Sequence, residues 1–407
     1  MVNGWVEKPI LEVLKPNGIK IGPFGSQLKK EFLLGDGLYK VYGQENVYER
    51  NFELGDRYLS REHFSRLNSC EIVPGDFVMS TMGTIGKCAI VPTSIQRGIM
   101  DSHLIRLRID EKKINPDYML QLFSDQYHYL SDQTARLAVG GIMDGLSVGI
   151  VSHLRVTYPE KLSEQKSIVD ALSGMDSLIL NLRKELAKKK DIYKGILQRI
   201  MTGRNRLSGF DEEWKTTTIG QLCDVKDGTH QTPHYVEGGI PFYSVETVTN
   251  DDFTHVKYIS LEEHERLTVS YRIENGDVLM TRIGSIGKGK YIDWEPNASF
   301  YVSLALLKFR GDKALAKFIA YMTETEAFRK EAELHSLQFA IPMKINLGQI
   351  SDIKVVIPRD EKEIETINAI LDDAKKEIIS LEKKLKKYEG IKRGMMEELL
   401  TGKVRLV

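Results

Sequence analysis

The chain has 407 residues, of which 42% are hydrophobic and 28% charged, and its formal net charge is zero. These values indicate a globular protein of two or three domains and give no support for binding nucleic acid through overall positive charge. No apolar run approaches the roughly 20 residues of a membrane span, and the N-terminus lacks a signal-peptide layout. Cys70, Cys88 and Cys223 are widely spaced, which predicts buried thiols in a reducing cytoplasm and no zinc site.

The first predicted region is globular and covers residues 1–159, opening at Trp5. Val, Ile, Tyr and Thr broken by Gly and Asn/Asp predict short strands and turns in its middle. Residues 78–80 read as a strand that enters the turn 83–87, and residues 118–137 read as a helix. We therefore expect a mixed α+β domain whose strand order the sequence leaves open.

The second predicted element is a long helix within residues 160–207, because residues 163–201 lack proline and keep a heptad of apolar residues. Lys189 is the one polar member of this seam. The apolar seam consists of Leu172, Met175, Ile179, Leu182, Leu186, Tyr193, Ile196 and Ile200.

The same order then repeats. Residues 208–357 form a second predicted globular region, with a strand at 278–281, a turn at 284–288 and a helix at 314–334. Residues 358–407 contain a second long helix. Its seam consists of Leu371, Ala374, Ile378, Leu381, Leu385, Tyr388, Lys392, Met395 and Leu399. A lone seam lysine in each copy can fix register at some cost in stability.

Repetition is direct in the sequence: residues 147–207 match residues 346–406 at an offset of 199 positions, as in Leu172 and Leu371. A second match relates 75–87 to 276–288. This period is too long for a solenoid and indicates duplication of a domain with its connector. The predicted fold is α+β: two pseudo-two-fold-related mixed α/β domains joined by two long helices that form an antiparallel coiled coil.

The seam predicts a spacing between the two domains. From Leu172 to Ile200 it would measure about 42 Å at about 1.5 Å per residue. That length corresponds to about 12 base pairs of B-DNA. The seam within residues 1–207 also predicts that this fragment pairs with a copy of itself.

The two Gly-x-Ile-Gly-Lys turns, 83–87 and 284–288, have two interpretations. They are too short for a P-loop, so a tight turn between strands with an exposed lysine is one interpretation. A loop whose amides and lysine meet a phosphate backbone is the other. The lysine-rich helix faces are interpreted as solvated surface.

Catalytic motifs are absent from the sequence. It contains no methyltransferase motif, Walker motif, His-Glu-x-x-His or Gly-x-Ser-x-Gly. His63, His103, His230 and His234 lack spaced partners and are predicted to be polar contacts, not metal ligands. The chain is predicted to recognise a target without catalysis.

With these features, the chain resembles the specificity (S) subunits of type I restriction–modification systems along essentially its whole length. The resemblance is carried by the duplicated order of domain and helix, the paired turns, and several short phrases. The phrases are residues 22–29, residues 227–233, residues 239–242 and the Thr-Gly-basic helix ends near 202 and 401. The chain departs from the family pattern at one place. Glu164-Gln165 precedes the first helix, as is common in the family, whereas Glu363-Ile364 precedes the second.

The resemblance implies that each globular region is a target recognition domain for one part of a split double-stranded DNA sequence. It also implies that the helices set the spacer and dock two adenine-methylating (M) subunits, with restriction (R) subunits joining the complex. S-adenosylmethionine and ATP with Mg would belong to those partners, and this chain would hold no cofactor. A cytoplasmic complex without a membrane partner is expected.

Candidate DNA contacts lie on the loops. Arg282 could bind guanine, or it could form a salt bridge or a phosphate contact; Lys87 and Lys288 are predicted to contact phosphate. The candidates are Ser26, Gln27, Lys29, Ser80, Thr81, Thr84, Lys87, His103, Thr229, His230, Thr232, Thr281, Arg282, Ser285 and Lys288.

Two other classes of protein remain open from the sequence. A scaffold whose duplicated domains bind proteins would explain the helices and the neutral charge, although not the loop phrases. A lone enzyme of unfamiliar chemistry or a fused methyltransferase-nuclease is the other class, and the missing motifs and the chain length argue against both. Specific DNA affinity separates recognition from scaffolding, and turnover by the purified chain would support an enzyme.

Overall fold

The computed structural model describes residues 2–137, 145–203, 206–337 and 340–406. The chain divides into two compact units: unit 1 is Met1–Arg183 with Lys383–Val407, and unit 2 is Lys184–Glu382. Each unit therefore combines a globular region with one segment of each long helix. The basic residue Arg204 and Asn205, in the predicted helix-end phrase, lie outside the described residues.

The described residues of unit 1 form ten strands and the first helices of the chain. The strands are β1 (Trp5–Pro9), β2 (Leu14–Ile21), β3 (Tyr39–Tyr42), β4 (Tyr58–Leu59), β5 (Glu71–Ile72), β6 (Phe77–Ser80), β7 (Cys88–Ile90), β8 (Gly98–Met100), β9 (Leu104–Ile109) and β10 (Arg155–Pro159). The helices are α1 (Gln44–Tyr48), α2 (Arg61–Arg66), α3 (Pro116–Leu122), α4 (Tyr129–Leu137), α5 (Val148–Ser152) and α6 (Leu162–Ile200), the last of which continues into unit 2.

These strands form two four-stranded sheets and one pair. The first sheet has the order β2-β9-β6-β7 and is antiparallel throughout; the second has the order β4-β3-β8-β5, with β3 and β8 parallel. One core fills the space between the first sheet, α3, α4, the start of α6 and residues Met396, Leu399 and Leu400. A second core lies against the other sheet. The pair β1-β10 leads into α6.

Unit 2 repeats this plan. Its strands are β11 (Lys215–Thr218), β12 (Asp224–Asp227), β13 (Tyr235–Val236), β14 (Ile240–Tyr243), β15 (Lys257–Ile259), β16 (Val278–Thr281), β17 (Gly289–Tyr291), β18 (Ser299–Phe300), β19 (Leu304–Lys308) and β20 (Lys354–Ile357). Its helices are α7 (Ile219–Leu222), α8 (Val245–Asn250), α9 (Leu261–Leu267), α10 (Lys313–Met322), α11 (Glu326–Leu334), α12 (Leu347–Ser351) and α13 (Glu361–Leu399), the last of which continues into unit 1.

The two units share one sheet order and differ in the other. The sheet β12-β19-β16-β17 corresponds strand by strand to β2-β9-β6-β7. The second sheet of unit 2, β13-β15-β14-β18, also has one parallel pair, β14 and β18, but this pair lies at the edge of the sheet, whereas β3 and β8 lie at its centre in unit 1. Its fourth strand, however, lies beyond β15, whereas in unit 1 the fourth strand lies beyond β8. Variation between the units is thus concentrated in the second sheet.

The sequence predictions are confirmed for the strands and turns and wrong for two helices. The strands at 78–80 and 278–281 enter turns that lead straight into β7 and β17. The predicted helix 118–137 is two helices, because His128 has a φ of 57° between α3 and α4. The predicted helix 314–334 is also two, because Thr325 caps a new helix by accepting from the amide of Phe328.

The two long helices run antiparallel within each unit. In unit 1, Asp176 contacts Lys392 and the later residue Arg183 contacts the earlier Glu389. Every predicted seam residue is buried or half-buried. The seam prediction missed Leu197 and Met396, which are 2% and 0% exposed. These residues pack against the globular cores, so their burial does not follow from a two-helix heptad.

Candidate nucleic-acid interface

The turn after β6 is held together by a serine hydroxyl. Ser80 Oγ donates to the carbonyl of Thr84 at 2.7 Å and accepts from the amide of Lys87 at 3.0 Å. Gly83 and Gly86 have φ values of 64° and 80°, a region that favours glycine. The turn is therefore closed from inside by its own strand.

Unit 2 builds its turn in the same way. The Thr281 hydroxyl donates to the carbonyl of Ser285 and accepts from the amide of Lys288 at 3.0 Å. Gly284 and Gly287 again have positive φ values, 79° and 81°. The recurrence of the motif is explained by turn geometry, and the two turns then present different side chains.

The two turn lysines have different surroundings. Lys87 forms an ion pair with Asp125, a neighbour from the loop between α3 and α4. Lys288 is exposed and donates from Nζ to the carbonyl oxygen of Thr249 at 2.5 Å. A carbonyl leaves the ammonium charge uncompensated, so Lys288 is the more available cation for an anionic ligand.

Three further loops of unit 1 lie beside its turn. Gly22 approaches so closely that a Cβ would lie 1.7 Å from the carbonyl oxygen of Asp101. Arg57 donates to Asp101 at 3.0 Å and to Glu45 at 3.1 Å. Burial alone would lower the pKa of Arg57, but the two carboxylates outweigh it and the pKa is raised. His103 is exposed next to Asp101.

Equivalent loops meet in unit 2. A Cβ on Gly228 would lie 2.5 Å from the carbonyl of Tyr301, the counterpart of the contact in unit 1. Arg282 Nη1 binds Asp227 Oδ1 at 2.6 Å and its Nε donates to the carbonyl of Ile345 at 3.2 Å. The amide of Arg282 donates to Ser303. Arg282 thus joins the loop after β12 to the turn after β16.

The predicted contact residues fall into two groups. Those at least partly exposed on these loops are Ser26, Gln27, Lys29, Thr84, Lys87, His103, Thr229, His230, Thr232, Ser285 and Lys288. Those that are buried are Ser80, Thr81, Thr281 and Arg282. The buried four stand behind the candidate surface. The side chains of Ser80, Thr281 and Arg282 form hydrogen bonds within the protein, and the backbone amide of Thr81 donates to the carbonyl of His103. For Arg282 the structure shows the salt bridge, one of the interpretations left open by the sequence.

Sequence reasoning missed the residues that hold the loops in place. Arg57 and Asp101 join two loops of unit 1, and Tyr48 accepts from the amide of Thr84 at 3.1 Å. In unit 2, Asp227 has the corresponding task. Asp227 directly precedes the polar phrase 228–232, and this position in the sequence could have indicated its role in holding the loop. The other three residues lie far from their partners in sequence and carry no local signal.

The described part of the chain contains no cluster of three or more His, Cys, Asp or Glu side chains able to hold a metal ion. None of its helices is both long enough and apolar enough to cross a membrane. The loop clusters instead offer hydroxyl, amide, imidazole and ammonium groups on rigid turns. Such groups bind phosphate oxygens and base edges.

Comparison with known proteins agrees with this chemistry. A family model described as Type I restriction modification DNA specificity domain matches residues 24–189 and 211–392. The type I restriction enzyme MjaVIII specificity subunit of Methanocaldococcus jannaschii is 21% identical over 333 residues, covering 76% of this chain and 75% of the relative.

Two solved structures have the same fold. The S subunit of a type I restriction–modification system from M. genitalium aligns with a TM-score of 0.61 and 13% identity, covering 98% of this chain and 97% of that chain. A chain from a structure concerned with assembly and conformational transition of the type I R-M system aligns with a TM-score of 0.57 and 16% identity, covering 98% of each.

Proposed function

Because this chain belongs to the type I restriction–modification DNA specificity family, we propose that it reads a bipartite double-stranded DNA target through two recognition domains, residues 1–159 and 208–357. Specificity subunits of this family are not catalytic. Residues 160–207 and 358–407 carry the long helices that set the spacer between the two half-targets. The observation that supports this function most directly is the recurrence of one rigid loop cluster with different exposed side chains.

The proposed partners are the M and R subunits expected for a specificity subunit. Two adenine-methylating (M) subunits dock on the helices and restriction (R) subunits join the larger complex in the cytoplasm. S-adenosylmethionine is used by the M subunits, and ATP with Mg by the R subunits. The role of this chain is to place those active sites on one DNA sequence.

Phosphate and base contacts are assigned by side-chain chemistry. Lys288, Ser285 and Thr84 occupy the turns, where hydroxyls and an ammonium group suit phosphate oxygens. Lys87 shares this position, with part of its charge offset by Asp125.

Base edges suit the amide and imidazole groups of the neighbouring loops, because these groups both donate and accept hydrogen bonds. In unit 1 the candidates are Gln27 and His103, with Ser26 and Lys29 beside them. In unit 2 they are His230 and Thr232, with Thr229 beside them. Since the two sets differ, the two half-targets differ.

The test is methylation mapping in cells. The chain is co-expressed with the M subunit of its own restriction–modification system, and N6-methyladenine is mapped across the host genome. A motif of two short blocks separated by a fixed spacer, absent when the chain is omitted, is expected. Absence of new methylation despite a stable complex would contradict the proposal and leave a protein-binding scaffold as the better account.

A further inference from the structure

The two long helices carry opposite charges where they face each other. In unit 1, Arg183 Nη2 of α6 binds Glu389 Oε1 of α13 at 2.6 Å. In unit 2, Lys190 Nζ of α6 binds Glu382 Oε1 of α13 at 2.6 Å. In both of these ion pairs α6 supplies the base and α13 the acid.

These two ion pairs occupy the same place in the repeat. Arg183 and Glu382 are 199 positions apart, and so are Lys190 and Glu389. The duplication has therefore kept the geometry of the pair and exchanged the sign of each member. At these two positions α6 therefore carries only basic residues and α13 only acidic residues.

The consequence appears when a helix is paired with an identical one in the same antiparallel register. Two copies of α6 would place Arg183 opposite Lys190, and two copies of α13 would place Glu382 opposite Glu389. By two-fold symmetry each like-charge contact would occur twice. Like charges at interhelical positions direct partner choice in coiled coils.

A second pair of positions acts in the same direction. Lys392 is buried and binds Asp176 Oδ1 at 2.6 Å in unit 1. The repeat equivalents in unit 2 are Tyr193 and Lys375, whose ammonium nitrogen lies 5.8 Å from the Tyr193 ring centroid. Pairing of identical helices would lose the ion pair and bring Lys375 next to Lys392.

We infer that the seam is heterotypic: α6 accepts a helix with the charge pattern of α13 and rejects a second copy of itself, and the reverse holds for α13. Lys189 adds to this pattern through its contact with Glu377 at 2.5 Å. The charges thus favour pairing of α6 with α13 over pairing of either helix with its own copy. They also oppose the self-pairing of residues 1–207 that the seam alone predicts.

Two full-length variants of equal composition and net charge test this inference. Arg183→Glu with Glu389→Lys reverses one ion pair and keeps attraction between α6 and α13 at both places. Arg183→Glu with Glu382→Lys creates Glu–Glu and Lys–Lys contacts within the chain, while making each helix attractive to its own copy. Thermal unfolding and light scattering after size-exclusion chromatography are measured for both variants and the wild type.

The first variant should unfold within about 1 °C of the wild type and remain a monomer. The second should unfold about 2–4 °C lower and form dimers as its concentration rises. Both differences should shrink in about 1 M NaCl, where the screening length is about 3 Å. Equal unfolding temperatures for the two variants, or a monomeric second variant at every concentration, would overturn the inference.

Discussion

The guanidinium of Arg405 binds both carboxylate oxygens of Glu164, at 2.6 Å from Nε and 2.7 Å from Nη2. Arg405 follows the end of α13, and Glu164 lies in the first turn of α6. Unit 2 repeats the pair with Arg206 and Glu363, both contacts at 2.9 Å. In each unit, therefore, the end of one long helix is fastened to the start of the other.

Replacement of Arg405 by alanine should lower the unfolding temperature of unit 1 by several degrees, because it leaves the Glu164 carboxylate buried without its partner. Arg405→Lys should recover only part of this, since an ammonium group cannot bind both oxygens as a planar fork. Thermal and urea unfolding of the full chain measure the loss. Lys403→Ala, an exposed neighbour, is the matched control and should be neutral. Equal stability of the Arg405 and Lys403 variants would contradict the role of the pair.

The ends of the long helices show which contacts the sequence repeat could predict and which it could not. The glycine of each Thr-Gly phrase has a positive φ, 66° at Gly203 and 74° at Gly402, which explains the repeated end of each helix. The sequence showed that Gln165 is replaced by Ile364 in the second copy, but it did not show the structural reason. Gln165 accepts from the amide of Asn115 at 2.6 Å, whereas its counterpart Ile364 packs in the core of unit 2. The glutamates that precede them, Glu164 and Glu363, are the residues that bind an arginine in both units.

Lys288→Ala should weaken binding to specific and non-specific DNA alike and reduce the slope of log affinity against log salt by about 1, as expected for the loss of one phosphate contact. The matched control is Lys87→Ala, which should change the salt slope less because Asp125 already offsets the Lys87 charge. Titration of the assembled complex against duplexes at several salt concentrations measures both. A loss of discrimination at a single base pair would contradict the phosphate assignment.

Substitutions on the two loop clusters should affect different halves of the target. His230→Ala with Thr232→Ala should relax the sequence of one block of the methylated motif, and Gln27→Ala with His103→Ala that of the other, by about 1–3 kcal/mol for each base pair affected. Each pair of substitutions serves as the control for the other. Methylation mapping of both double variants measures the effect. If the two double variants changed the same block of the motif, the assignment would be wrong.

The sequence predicted the turns of the site well and its interior poorly. The Gly-x-Ile-Gly-Lys turns follow from local geometry, because positive-φ glycines and a strand residue with a hydroxyl define them. The burial of Arg282 does not follow in this way, since its partner Asp227 is distant in the chain and is brought near by strand pairing. Long-range contacts of this kind decide which polar residues remain available to a ligand.

The stability of unit 2 should depend on pH through His264. Burial of the ring lowers the pKa of His264 below its ordinary value, and Arg272 acts in the same direction. The folded protein thus favours the neutral ring, so stability should be fully present above about pH 6.5 and decline as the pH falls through that value toward the folded pKa. His264→Gln, which keeps a polar group near Ser299, should show a flatter profile of unfolding temperature. An unchanged profile would exclude His264 as the cause.

Lys392 and Asp176 should respond unequally to substitution although they bind each other. Lys392 is buried whereas the side chain of Asp176 is 44% exposed, so removing the lysine leaves a solvated carboxylate and removing the aspartate leaves a buried ammonium. Lys392→Leu should therefore keep or raise the unfolding temperature, because an apolar residue suits this seam position. Asp176→Ala should lower it by several degrees, and Asp176→Ala combined with Lys392→Leu should recover most of that loss. A drop for Lys392→Leu as large as for Asp176→Ala would mean that the ion pair is a net source of stability and not a means of fixing register.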